Sequence, residues 1–266
     1  MYTYKIFNNI ADDGISILEN NEFRTDEIDP DSLLLRSQVL TEDDFNDSLK
    51  CIGRAGAGTN NIPVHEATEK GVVVFNTPGA NANAVKELVV CGMLLASRGI
   101  IQGSAYAKTL SGQDTSELNK SMEAQKKNFK GSELKGKTLG IVGLGAIGSL
   151  LAQTAEIMGM KIIGYDPHIS IDAAWRLPKE VEKAETLEYL LSNSDYISLH
   201  VPLIDATKNM ISKETLKHFK QGSKLINLSR GGIVNNEDII EALDSSKIST
   251  FVTDFPTPEL VERSSK

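Results

Sequence analysis

The chain has 266 residues, 40% of them hydrophobic and 24% charged, the balance of a globular chain with one large or two modest domains. A formal net charge of -8 and a pI near 5.1 exclude binding of nucleic acid or anionic lipid through bulk positive charge, which leaves small molecules as the expected partners. Cys51 and Cys91 fit neither a disulfide framework nor a metal spacing and read as small buried hydrophobes in a reducing compartment.

The opening stretch "MYTYKIFNNIADDG" lacks the basic segment, apolar core and small-residue cleavage site of a secretory signal. No apolar run reaches membrane-spanning length, so the cytoplasm is the expected location. Short apolar runs then alternate with helical patterns through "YKIFN", "GISILEN", "DSLLLRS", "EDDFNDSL", "KCIGRAG", "PVHEATEKG" and "VVVFNTPG". Such punctuation predicts a mainly parallel sheet with helices on both faces.

From about Asn83 a long helical stretch begins, "NAVKELVVCGMLLASRGIIQGSAYAKTL", followed by the polar "TSELNKSMEAQKKNFKGSELKGK". The domain crossover is expected here, giving domains at 1–100 and 101–266. The lysines at 126, 127, 130, 135 and 137 are spaced for a solvated face. A second βα series follows in "KTLGIVGLGAIGSLLAQTAEIMGMKIIGYD", "DYISLHVP", "SKLINLSRGG", "EDIIEALDSS" and "STFVTDFP". The fold class is therefore α/β, with two Rossmann-like domains.

"GLGAIG", Gly143 to Gly148, fits G-x-G-x-x-G, and its context gives it weight. The strand-like "TLGIV" precedes it, a helical pattern ending at Gly159 follows, and a second strand, "KIIGY", ends in Asp166 about twenty residues on. Gly143 permits the tight turn, Gly145 leaves room for a pyrophosphate, and Gly148 lets helix and strand pack closely. Asp166 suits the ribose hydroxyls and would repel a 2'-phosphate, which favours NAD over NADP. Arg230, in "NLSRGG", has no acid beside it and stands at the carboxyl end of a later strand, the edge where ligands of such sheets bind. Its planar fork matches a carboxylate or polarises a keto oxygen.

"GLGAIG", "SLHVPL", "NLSRGGIVN" and "DFPTPEL", in this order behind "GRAGAGTNNI…NTPG", resemble the D-isomer-specific 2-hydroxyacid dehydrogenases over essentially the whole chain. Within that family the likeness is greatest to members acting on 3-phosphoglycerate, which implies NAD-dependent oxidation to 3-phosphohydroxypyruvate in serine synthesis. The resemblance implies a substrate-binding, flavodoxin-like first domain, a NAD-binding second domain and a cleft site between them. It makes Arg230 the group that binds and polarises a small anionic 2-oxo acid, and Glu259 the carboxylate that orients a catalytic histidine. Ala146, Ile147 and Asp166 would hold the adenosine and pyrophosphate, Val201, Pro202 and Thr207 would line the cofactor, and Leu228, Ser229 and Asp254 would sit near the nicotinamide. Ala57 and Gly58 would offer backbone N–H groups. Arg36 and Arg54 match arginines that hold a substrate phosphate, with a structural ion pair as the alternative. A homodimer is implied as well, with "NAVKELVVCGMLL" as an interface helix.

The family places its histidine beyond the glutamate, in a P-H-x-G context that does not occur before Lys266. His65, His168, His200 and His218 are not obvious substitutes. The expectation is a shortened product: no C-terminal return segment for the first domain, no regulatory ACT domain, lower stability, weak turnover and retained NAD binding. A non-catalytic NAD-responsive interaction protein and an inactive fragment are the rival readings.

Overall fold

The computed structural model describes residues 2–264, and the chain forms two compact units, Met1–Asn81 and Ala82–Lys266. The first unit is a five-stranded sheet of β1 (Thr3–Ile6), β2 (Arg24–Thr25), β3 (Ser32–Leu35), β4 (Cys51–Arg54) and β5 (Val73–Phe75). All pairs are parallel and the order is β2-β1-β3-β4-β5, the flavodoxin-like winding. Helices Asp12–Asn20 and Val64–Glu69 supply crossovers, and Leu33, Leu35, Leu40, Phe45, Leu49, Ile52, Ile62, Ala67 and Val72 form the core.

The helix expected in "EDDFNDSL" is a single 3-10 turn, Glu42–Asp44. Its Thr41–Asp44 capping box satisfies the turn locally, and the Asp- and Asn-rich sequence beyond it has little helix propensity. The cysteine expectation is also corrected. Cys51 is half-buried at the start of β4, and Cys91 is exposed on the outer side of its helix.

The second unit is a six-stranded parallel sheet of β6 (Thr138–Val142), β7 (Lys161–Tyr165), β8 (Glu182–Lys183), β9 (Tyr196–Leu199), β10 (Ser223–Asn227) and β11 (Ile248–Thr253). Read from β8 the order is β8-β7-β6-β9-β10-β11, the doubly wound arrangement whose direction reverses between β6 and β9. Burial on both faces explains the unbroken apolar runs: β9 is buried throughout, and β6 at all but its first residue. One face packs under Leu190, Leu191, Leu216, Phe219 and Ile239, the other under Val89, Met93, Leu151 and Ala155.

The boundary falls at Asn81/Ala82, not at 100/101. Helix Ala82–Ser97 carries Val89 and Met93 into the second unit's core, and Ser97 Oγ lies 2.7 Å from the hydroxyl of buried Tyr196. The single long helix expected from Asn83 to Leu110 is broken into Ala82–Ser97 and Ile100–Thr109. At the break, a Cβ on Gly99 would lie 2.8 Å from the Phe129 backbone, so only glycine lets that segment cross so closely. The five lysines from 126 to 137 are all exposed, as a solvated face requires.

Candidate functional site

The reversal between β6 and β9 puts two loops side by side at the carboxyl edge of the second sheet. Gly143 follows β6 with φ +92°, and a Cβ there would lie 2.5 Å from the carbonyl oxygen of His200, which follows β9. Gly148, inside helix Ala146–Ile157, has the same intolerance, because its Cβ would lie 2.1 Å from the Gly143 carbonyl oxygen. Gly145 differs: a Cβ there would meet nothing within 4 Å. Its bareness serves no packing purpose, which is what a surface kept clear for a ligand looks like. The first-turn N–H groups of the helix, including those of Ala146 and Ile147, have no acceptor within the helix and carry its positive dipole end.

Asp166 ends β7 beside this turn. Its Oδ2 accepts from the Leu144 N–H at 2.8 Å and its Oδ1 from the His168 N–H at 2.9 Å, so the carboxylate is held rigidly while each oxygen keeps a lone pair for a ribose hydroxyl. Thr207 is buried, and its hydroxyl donates to Pro202 O at 2.5 Å and accepts from the Ile204 N–H at 2.9 Å. It therefore shapes the loop that carries Val201 and Pro202 along the edge. The glycine turn, its open face, the dipole end and the fixed acid fit a dinucleotide.

Arg230 follows β10, the next strand along. Among the described residues its side chain has no ion pair, and its one hydrogen bond is from Nη1 to the Ser229 carbonyl at 2.6 Å. The rest of the guanidinium's five donors are uncommitted. Ser229 is tied to β9 by its hydroxyl, which donates to Leu199 O at 2.6 Å. Leu228 packs against the core. Sequence reasoning passed over Asn227, which is fully buried. Its Nδ2 donates to Arg230 O at 2.8 Å and its Oδ1 accepts from the Ser229 N–H at 3.2 Å. A lone amide closing an apolar strand was the signal.

After β11, exposed Asp254 leads into Phe255, which lies against Gly231 so closely that a Cβ on that glycine would be 3.1 Å from the Phe255 Cβ. This brings the Asp254 segment beside the Arg230 turn. Glu259 is exposed near the start of helix Pro258–Ser264 and, among the described residues, shares no hydrogen bond with Arg230. Its own N–H and the Thr257 hydroxyl hold its carboxyl below the usual range, so it is a carboxylate and an acceptor at neutral pH. His200 has Nε2 at 2.9 Å from Ser198 Oγ, and its Nδ1 is sealed off without a partner. Burial pushes its pKa down to about 4, so it is neutral in the physiological range. His168 and His218 are exposed.

In the first unit, Leu35 of β3 is in register with Arg54 of β4, so Arg36 and Arg54 do stand on adjacent strand ends. Their side chains differ. Arg36 is exposed, whereas half-buried Arg54 folds back and donates through Nη1 to the Gly58 carbonyl, closing its own loop. Ala57 is exposed, with its carbonyl accepting from Asn76 Nδ2 at 2.7 Å. Asn8, at φ 68°, was another omission: its Oδ1 accepts from the N–H groups of Arg36, Ser37 and Gln38 at 3.4, 3.0 and 2.8 Å.

Residues 92–266 match the family model described as D-isomer specific 2-hydroxyacid dehydrogenase, NAD binding domain. The chain is 39% identical over 229 residues to the D-3-phosphoglycerate dehydrogenase of Methanocaldococcus jannaschii, covering 85% of this chain and 41% of that protein. It is 37% identical over 251 residues to the hydroxypyruvate reductase of Thermotoga maritima, covering 91% and 76% respectively. A cofactor (NAD+)-bound 3-phosphoglycerate dehydrogenase from Entamoeba histolytica superposes with a TM-score of 0.77 at 26% identity, over 99% of this chain and 83% of that one. The chain spans less than half the length of the Methanocaldococcus protein. With a doubly wound sheet, a glycine turn of dinucleotide geometry and these matches, the chain belongs to the D-isomer-specific 2-hydroxyacid dehydrogenases, and its cofactor is NAD.

Proposed function

We propose that this chain is an NAD-dependent dehydrogenase that oxidises the 2-hydroxyl carbon of 3-phosphoglycerate to give 3-phosphohydroxypyruvate. One observation carries the proposal: among the described residues, a guanidinium without a carboxylate partner at the same sheet edge as the glycine turn. Bound NAD supplies the hydride acceptor at that edge. Arg230 binds the substrate carboxylate or oxo group and stabilises negative charge on the oxygen, while Ala146, Ile147 and Asp166 fix the dinucleotide. Ala57 and Gly58 offer backbone N–H groups, and Arg36 faces a phosphate. Glu259, already a carboxylate, suits orienting an imidazole better than taking the hydroxyl proton itself.

Serine synthesis as the setting, the cytoplasm as the compartment and a homodimer belong to the same reading. Helix Ala82–Ser97, with Leu88 and Leu94 exposed, is the proposed interface, and a monomer in light scattering would remove it.

A second reading has its own observation. The Arg54 guanidinium is engaged with Gly58 O, which leaves one arginine fewer for a phosphate and favours an unphosphorylated 2-oxo acid. NADH fluorescence titration of the purified chain, followed by reduction assays with 3-phosphohydroxypyruvate and hydroxypyruvate, tests both. A kcat/KM at least about tenfold higher for the phosphorylated acid supports the first reading, and equal values support the second. No binding of NADH would sink both.

A further inference from the structure

Asn227 is the least expected residue at the edge: an amide with no exposure, at the end of a strand otherwise apolar on its inner positions. Burying an amide costs free energy unless its donor and acceptor are both used. Here both are used, and both on the same turn. Its Oδ1 takes the Ser229 N–H at 3.2 Å, and its Nδ2 gives to Arg230 O at 2.8 Å. The two bonds therefore fix the peptide unit before Ser229 and the one after Arg230. Between them lies the Ser229–Arg230 peptide, whose carbonyl oxygen receives the Arg230 Nη1 at 2.6 Å.

Ser229 adds a fourth tie, through its hydroxyl to Leu199 O at 2.6 Å. Asn227 Oδ1 to the N–H two residues on is a common strand ending. The Nδ2 bond to Arg230 O is not needed to end a strand, and its effect is to set the backbone from which the guanidinium projects. A side chain as long as arginine has many rotamers to lose on binding, so pre-setting its base and anchoring one of its nitrogens lowers what an incoming anion must order.

We propose that Asn227 is a positioning residue for Arg230: it holds the turn so that the uncommitted guanidinium donors face an anionic 2-oxo acid. The proposal rests on the assignment of Arg230 to substrate binding. Asn227 would not touch substrate or cofactor.

The test uses the whole chain and oxamate, an unreactive 2-oxo acid analogue, titrated into the NADH complex with NADH fluorescence as the readout. Asn227→Asp loses the donor to Arg230 O while retaining an oxygen for the Ser229 N–H, and Asn227→Ser, whose single short hydroxyl cannot bridge both groups, covers a failure of the first to fold. Oxamate affinity should fall by about tenfold to a hundredfold, the range for one guanidinium bond to the anion being lost once the turn is released, while NADH affinity stays within about twofold. In an Arg230→Lys background the same Asn227 substitution should have a much smaller effect, because the two residues act as one unit. Unchanged oxamate affinity, a parallel fall in NADH affinity, or full additivity with Arg230→Lys would each overturn the positioning role alone. Failure of the unaltered chain to bind either oxamate or 3-phosphoglycerate in the presence of NADH would overturn the substrate assignment and this proposal with it.

Discussion

A buried imidazole at the carboxyl end of the sheet gives the residue scale a measurable consequence. His200 titrates near 6.5 in an unfolded chain but at about 4 in the fold, because its ring is desolvated. As pH falls below 6.5 the unfolded state takes up the proton first, so the native state loses stability progressively down to about 4 and keeps it fully above 6.5. At pH 5 the loss is about 2 kcal/mol. Urea denaturation of the wild type and of His200→Gln at pH 7.5 and 5 should show the difference between the two proteins changing by that amount. A difference that does not vary with pH would mean that the protonated ring reaches water. Single residues were unevenly legible. Asp166 and Arg230 were legible as charges following strands, and the fold places both at the carboxyl edge of the second sheet. Asn227 left a signal, a lone amide closing an apolar strand, but Asn8 and the inward fold of Arg54 were not visible, since each depends on which backbone groups a loop brings within hydrogen-bonding reach.

At the scale of elements, the glycine turn separates packing from binding with one substitution made twice. Gly148→Ala places a methyl 2.1 Å from the Gly143 carbonyl, a backbone atom that cannot rotate away, so the helix must shift from β6 at a cost of about 1–3 kcal/mol. Gly145→Ala adds the same methyl into open space at an ordinary φ of -68°, so the melting temperature should hardly move. NADH affinity should respond in reverse: a loss of about tenfold or more for Gly145→Ala, where the methyl occupies the ligand's approach. Thermal melts and NADH titrations of both variants check this, and equal melting losses would show that Gly145 is a packing glycine. The longer strands of the second sheet were the most readable elements, since strands buried on both faces are mostly apolar. The two-residue strands β2 and β8 were not, because so short a pairing is imposed by its neighbours. The break near Gly99 was missed for a similar reason, as the Phe129 backbone that demands a glycine there arrives from thirty residues away.

For the whole molecule, two all-parallel windings each enclose a core of their own, Leu33 to Val72 in the first unit and the two flanking clusters in the second. The sequence marked both windings but not their border, because helix Ala82–Ser97 is apolar enough to suit either and its assignment depends on Val89 and Met93 meeting Leu139 and Ile141. This border locates the effect of the cofactor. Every residue in the glycine turn, the acid and the arginine turn belongs to Ala82–Lys266, so NADH stabilises the folded form of that unit. At a free concentration a hundred times its dissociation constant the gain is about 2.7 kcal/mol. Amides of β6, β9 and β10 that exchange only through full opening of the unit should then exchange about a hundredfold more slowly. Amides of β3 and β4 should keep their rates if the first unit opens independently. Hydrogen exchange followed by mass spectrometry resolves the two sets. Equal slowing in β3 and β4 would show that the units open together, and slowing in neither would show that NADH does not bind the native chain.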